Sequence, residues 1–252
     1  MYKTGSAVTD LLIAPLLKWE KRVDRRAARK AEILVANSTF TAEKLSEVYQ
    51  REAVTVTPGV DTDFFTPGGS KGDYVLTVGA LSEFKRHHLV VEALSLIPEN
   101  SRPRMRTVAD RGDEGYAVFL SSLALKLGVD LTIERGVSDL RLLELYRSAL
   151  VTLCPQRNEP YGLVPLEAMA CGTAVVAVNE GGFRENIVHG ENGFLVEPEA
   201  SAIAEAVRKF STDAIDSSAM AAAGRDFVLT GRSLRVETDK MADLLERAAG
   251  GG

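Results

Sequence analysis

NEPYGLVPLEAMACGTAVVAVNEGG, residues 158–182, is the stretch from which the fold is read. An apolar run ends at Cys154, a loop follows, a helical pattern begins near Gly162, and a second apolar run starts at Ala174. Parallel strands covered on both faces read as nearly continuous apolar runs, so this is a strand, loop, helix, strand unit. In an open parallel sheet ligands collect beyond the carboxyl ends of strands, where a helix start offers unpaired backbone N–H groups to an anion. Gly162 is expected to remove the side chain that would block such an approach. Pro165 suits a first helical turn, where its missing N–H would have had no partner.

Working outward, the same alternation repeats. Apolar runs occur at 74–79 (YVLTVG), 105–109 (MRTVA), 131–134 (LTIE), 150–154 (LVTLC), 174–178 (AVVAV) and 194–196 (FLV). Helical patterns lie between and after them at 86–95, 114–127, 139–148, 162–170, 183–188 and 200–210, with Gly128 and Gly172 placed as helix-ending glycines. Strands alternating with helices of this length imply an α/β fold with a Rossmann-like, doubly wound parallel sheet over residues 74–212. Residues 65–73, FTPGGSKGD, read as a linker. Residues 1–64 hold two further strand patterns, ILVANS and VTVTPGVD, around a helix starting near Thr41; one such unit is too small to make its own core. Residues 213–252 read as closing helices over 217–249 and a glycine ending.

Composition narrows the function. With 252 residues, 45% hydrophobic and 26% charged, the chain is an ordinary globular protein. Its net charge of −5 argues against general nucleic-acid binding, which needs a basic surplus. Cys154 and Cys171 sit in apolar surroundings and read as free thiols of a reducing compartment. No apolar run approaches the roughly 18 residues of a membrane span, and a cytoplasmic location is expected. AVTDLLIAPLLKW followed by KRVDRRAARK reads either as a packed helix or as a basic amphipathic stretch lying at the inner membrane face.

The polar residues around the expected anion site are Glu159 in the loop, Glu167 about one turn into the helix, and Lys85 just past the first strand of the main sheet. Carboxylates are repelled by a diphosphate but accept hydrogen bonds well from hydroxyls. Taken alone, Glu167 reads as a solvated helix residue and Glu159 as an exposed loop residue; as ligands, one Glu would take sugar hydroxyls and the other a ribose diol, with the diphosphate between them. Lys85 would neutralise charge on a departing nucleotide.

The spacing of Glu159 and Glu167, with seven residues between them inside EPYGLVPLEAMACGTAVVA, followed by Gly181-Gly182, Glu185 and HGENGFLV, resembles the donor-site signature of the retaining GT4 (group 1) glycosyltransferases of GT-B fold. The segments ILVANSTFTAEKL, VTPGVDTDFF, YVLTVGALSEFKR and GVSDLRLLELYRSA extend the resemblance in the family's order over residues 31–210. It implies that this chain is the C-terminal, donor-binding half of such an enzyme, with a remnant of the N-terminal acceptor domain ahead of it. By the resemblance, Glu167 holds the ribose hydroxyls, Glu159 the transferred sugar, the amides of Tyr161, Gly162, Leu163 and Val164 meet the diphosphate and sugar, and the backbone near Val137 meets the base. Gly79 and Lys85 complete the donor side, with Glu159 and Lys85 as the catalytic-support pair. Many relatives carry Arg after that glycine where this chain has Ala80; Arg86, where the family often has glycine, either replaces the charge or is a solvated helix-start residue.

Other polar signals read more plainly. His87 and His88 point about 100 degrees apart on a helix, which disfavours a shared metal. His189 reads as a loop residue, and Asp61-Thr-Asp63 as turn chemistry. Gly181-Gly182 read equally as a plain turn or as a close approach near the donor. The implied reaction is transfer of a sugar from a nucleotide diphosphate sugar to an acceptor hydroxyl with retention, in polysaccharide or glycoconjugate synthesis. No cofactor or metal is expected. The implied partners are the donor, a lipid- or glycan-linked acceptor, and a separate N-terminal domain or a second copy, without which turnover is not expected. The competing reading is a non-catalytic nucleotide-sugar-binding module. A dehydrogenase would want G-x-G-x-x-G after its first strand, and VGALSEFK has one glycine.

Overall fold

The structure is a computed structural model that describes residues 7–212 and 214–250. Its first unit comprises α1 (Ala7–Lys30), β1 (Val35–Ala36), α2 (Thr39–Tyr49) and β2 (Val54–Thr55). β1 and β2 pair in parallel as a two-stranded sheet. Ser38 caps α2, its side chain accepting from the Thr41 N–H. This unit carries little core: α2 buries no residue, and β2 is exposed at both positions.

The main unit contains β3 (Tyr74–Val78), α3 (His87–Ser95), β4 (Arg104–Val108), α4 (Glu114–Lys126), β5 (Leu131–Glu134), α5 (Asp139–Ser148), β6 (Val151–Cys154), α6 (Leu163–Ala170), β7 (Val175–Val178), α7 (Phe183–Asn186), β8 (Phe194–Val196) and α8 (Ala200–Ser211). Every expected strand is present, and helix ends differ by one or two residues. The strands form one parallel sheet in the order β5-β4-β3-β6-β7-β8. The chain builds outward from β3 through β4 and β5, then returns to lay β6 against the other side of β3. The sheet is therefore doubly wound, and its topological switch falls between β3 and β6, where the loops after the two strands diverge and leave a crevice.

The continuous apolar runs sit where their pattern requires. β6 and β7 are buried along their whole length, and β3 is buried at four of its five positions. Val75, Leu76, Val151, Val175, Val90, Leu94, Leu120, Leu166 and Met169 are fully enclosed in one core. At roughly 1.5–3 kcal/mol for each such side chain, this core stabilises the unit and holds the strand ends that present the site.

Two last helices, α9 (Ser217–Gly231) and α10 (Leu234–Gly250), close the molecule. The turn between them is stitched to the first unit: Val60 N–H donates to Arg232 O (2.9 Å) and Leu234 N–H to Val60 O (2.7 Å). α10 thus lies across residues 56–59, with Leu234, Met241 and Leu245 beside Val56, Pro58 and Gly59. Leu234 and Leu245 lie beside the first unit and remain partly exposed to solvent. Among the described residues no helix is long and apolar enough to cross a membrane. α1 exposes Leu16, Leu17, Trp19 and Val23.

Candidate functional site

The crevice between β3 and β6 opens into a cavity of about 270 Å³. It is lined by Lys85, Gln156, Glu159, Pro160, Tyr161, Gly162, Leu163, Val164 and Phe183 from the main unit, and by Asn37 and Pro58 from the first. Lys85 arrives on a short 3₁₀ turn (Glu83–Lys85) after β3, and Glu159 on the loop after β6. Their side chains meet: Lys85 Nζ donates to Glu159 Oε2 at 2.7 Å, with side chains 31% and 22% exposed. Beneath them begins α6, with Gly162 as its N-cap and no side chain capping it. Its first backbone N–H groups are unpaired within the helix, and the positive end of the helix dipole points the same way.

The structure adds a reason for Gly162. Its φ is +89°, and an added Cβ would stand 2.6 Å from the Phe183 ring, so glycine is required here by backbone conformation and packing. Gly181 and Gly182 likewise pack closely against the loop. A Cβ on Gly181 (φ +59°) would strike the Glu159 carbonyl oxygen, one on Gly182 the Pro160 carbonyl oxygen, and Gly182 N–H donates to Glu159 O at 2.8 Å. These glycines are the backing plate of the Glu159 loop. Asn158 N–H, donating to Glu180 Oε2 at 3.1 Å, and Asn186 Nδ2, donating to Tyr161 O at 2.8 Å, pin the same loop from either end.

Glu167 does not share the cavity with Glu159. It lies largely buried, with Oε2 accepting from the Tyr146 hydroxyl at 2.6 Å. Burial pushes its carboxyl above the ordinary range, against the downward pull of the Tyr146 bond. The fully buried Tyr146 phenol is held well above its ordinary value, by burial first and then by Glu167. The two acids of the motif thus stand in different surroundings, Glu159 on the cavity wall and Glu167 in a part-buried hydrogen bond with Tyr146. The cause is helical geometry, since four residues into α6 the side chain faces α5 and its Tyr146.

Arg86 adopts the left-handed conformation (φ +50°) that ends the 3₁₀ turn, which is where glycine fits without strain. Its guanidinium pairs with Glu180 at 3.3 Å, so it is not a freely solvated residue, and it is not on the wall of the cavity that holds Lys85. Gly79 and Val137 line a second cavity of about 210 Å³ with Val78, Ala80, Val108, Ala109, Asp110, Arg111, Asp139 and Leu142, at the carboxyl ends of β3 and β4.

His87 is enclosed, with Nδ1 on Thr77 Oγ1 (3.1 Å) and Nε2 on Ala80 O (3.2 Å), and burial lowers its pKa to about 4. His88 Nδ1 meets the Tyr116 hydroxyl at 3.0 Å. Asp61 Oδ1 accepts from the N–H groups of Asp63 and Phe64, both at 3.0 Å, which is turn chemistry. Cys154 and Cys171 are free and buried, and burial raises Cys171 to about 12. Among the described residues no group of three or more His, Cys, Asp or Glu is arranged to hold a metal ion.

Residues missed in the sequence are Asn37, Pro58, Gln156 and Phe183 on the cavity wall and Tyr146 behind Glu167, together with the role of the motif residue Glu185. The last caps α2: its carboxylate accepts from Thr39 N–H and Phe40 N–H, each at 2.8 Å, tying the first unit to the main one. Only Gln156 carried a legible signal, as a polar residue just past the carboxyl end of a central strand.

Residues 61–227 match the family described as Glycosyl transferases group 1. The D-inositol 3-phosphate glycosyltransferase of Stackebrandtia nassauensis is 32% identical over 228 residues, covering 81% of this chain and 51% of that protein. The chain thus spans about half the length of the curated relatives it matches. Among solved structures, sucrose-phosphate synthase of Thermosynechococcus elongatus superposes with a TM-score of 0.84 at 22% identity, over 93% of this chain and 63% of that one. The Anabaena protein HepE, solved with UDP and glucose, superposes with a TM-score of 0.82 at 22% identity, over 90% and 66%. The doubly wound sheet is the fold these GT-B glycosyltransferases share.

Proposed function

This chain belongs to the glycosyl transferases of group 1, and from that premise we propose that the crevice between β3 and β6 binds a nucleotide diphosphate sugar. Within the whole protein the sugar is passed to an acceptor hydroxyl with retention, in glycan or glycoconjugate synthesis. The observation that carries this reading is the Lys85–Glu159 ion pair set over the open N-terminus of α6. A cation and a row of free amides beside one carboxylate suit a ligand that is anionic at its middle and hydroxylated at its end.

In this reading the base enters the cavity lined by Gly79 and Val137, and the diphosphate meets the amides at Gly162, Leu163 and Val164. Lys85 then leaves Glu159 for the diphosphate, which frees the Glu159 carboxylate to accept from sugar hydroxyls. The exchange keeps both groups paired before and after binding, so neither is left desolvated and alone. Glu167 takes the ribose hydroxyls through Oε1 while Tyr146 holds Oε2. Charge developing on the leaving diphosphate is stabilised by Lys85 and the helix N-terminus. The diphosphate itself takes the acceptor proton, and positioning does the rest. HepE, solved with UDP-glucose, supports a sugar nucleotide as the ligand class.

Saturation-transfer NMR with UDP-, GDP- and ADP-sugars tests the reading. One donor is expected to bind, and Lys85→Ala to weaken it by about tenfold or more, the range of a lost charged hydrogen bond. Absence of binding by all three classes at millimolar concentration would overturn it.

A further inference from the structure

Gln156 stands two residues past the end of β6, 2% exposed, on the wall of the cavity that holds Lys85 and Glu159. Its two amide ends are in opposite situations. Nε2 donates to the Val78 carbonyl at the end of β3 (3.3 Å), whereas Oε1 is buried and has no partner. The amide is held in this orientation, because turning it over would set Oε1 against the Val78 carbonyl, acceptor against acceptor. A buried carbonyl without a donor is costly, and native proteins rarely leave one unless something else supplies the bond.

The chemistry of the missing partner follows from the atom. Oε1 only accepts, so it needs an O–H or N–H. Ionised diphosphate oxygens have none and would be repelled. Of the parts of a nucleotide sugar that reach a cavity walled by Glu159, only the sugar carries such donors, as hydroxyls or an acetamido N–H. We infer that Gln156 is a specificity-determining residue of the donor site, its Oε1 accepting a hydrogen bond from the transferred sugar. The inference rests on the donor reading above and adds to it the group that selects the sugar.

The test compares each sugar nucleotide with its own free diphosphate. The full chain and Gln156→Met are titrated calorimetrically with UDP and UDP-glucose, GDP and GDP-mannose, and ADP and ADP-glucose. For the pair that the wild-type chain binds, Gln156→Met is expected to weaken the sugar nucleotide about tenfold and the free diphosphate less than about twofold, the loss of one buried hydrogen bond confined to the sugar. Equal losses for the two ligands, or no loss for either, overturn the inference and leave the donor reading standing. Failure of the wild-type chain to bind any of the six sinks the donor reading, and the inference with it. Should the variant fold poorly, the side-chain amide resonance of Gln156 in the wild-type chain decides. It is expected to shift with the sugar nucleotide and not with the diphosphate, and a resonance that moves equally with both, or with neither, overturns the inference.

Discussion

Glu159 and Glu167 share one short motif, and the fold sets them in opposite surroundings. Glu159 stands on a loop braced by Gly181 and Gly182, on the wall of a cavity, paired with Lys85. Glu167 stands inside a helix, its carboxylate accepting from the fully buried Tyr146 phenol at 2.6 Å. The same contrast recurs two residues apart at Lys85 and His87: one lines the cavity, the other is sealed beneath it between Thr77 and Ala80. A side chain's chemistry therefore sets what it could do here, and its place relative to the strand ends sets what it does.

The sharpest break of that contrast is truncation. Glu167→Ala is expected to lower unfolding stability by about 3 kcal/mol, because it opens a cavity and strands a buried hydroxyl. Glu159→Ala is expected to leave stability within about 0.5 kcal/mol while lowering donor affinity. Chemical denaturation of the two variants side by side measures the difference, and similar losses would erase it.

Acid titration separates the second pair by nearly as much. His87 is depressed to about 4 by burial, so its contribution to stability is fully present above its ordinary value of 6.5 and is lost as pH falls toward 4. The loss reaches about 3 kcal/mol and is expected to be reduced in His87→Gln, as read from denaturation midpoints between pH 7 and pH 4. Tyr146→Phe is a smaller probe, costing about 1–2 kcal/mol at neutral pH. It removes the hydrogen bond that restrains the Glu167 carboxyl, whose folded value is already raised by burial. A carboxyl raised in the folded state stabilises at low pH and loses that contribution as pH rises through its folded value. The variant's deficit against wild type should therefore shrink in acid. The mildest change is Arg86→Gly, which relieves a left-handed backbone at the expense of the Glu180 pair. A net change within about 1 kcal/mol is expected, with donor affinity retained.

The sheet could be read from the sequence because strands covered on both faces print their burial directly as apolar runs. Val75-Leu76, Val151 to Cys154 and Val175 to Val178 did so without ambiguity. Lys85 and Glu159 were legible as the polar residues nearest the ends of two such runs. Tyr146 was not, since its meeting with Glu167 depends on how α5 packs against α6. Nor were Asn37 and Pro58, which reach the cavity from a unit more than a hundred residues away in sequence from Glu159. Arg86 misled because its charge is visible in the sequence and its φ is not.

The central claim is tested most directly by a crystal structure of the full chain with UDP. The expected result places the diphosphate within about 3 Å of the backbone nitrogens at the start of α6, with Lys85 moved from Glu159 onto a phosphate oxygen. UDP bound elsewhere, or bound in the crevice with Lys85 still on Glu159, would contradict it.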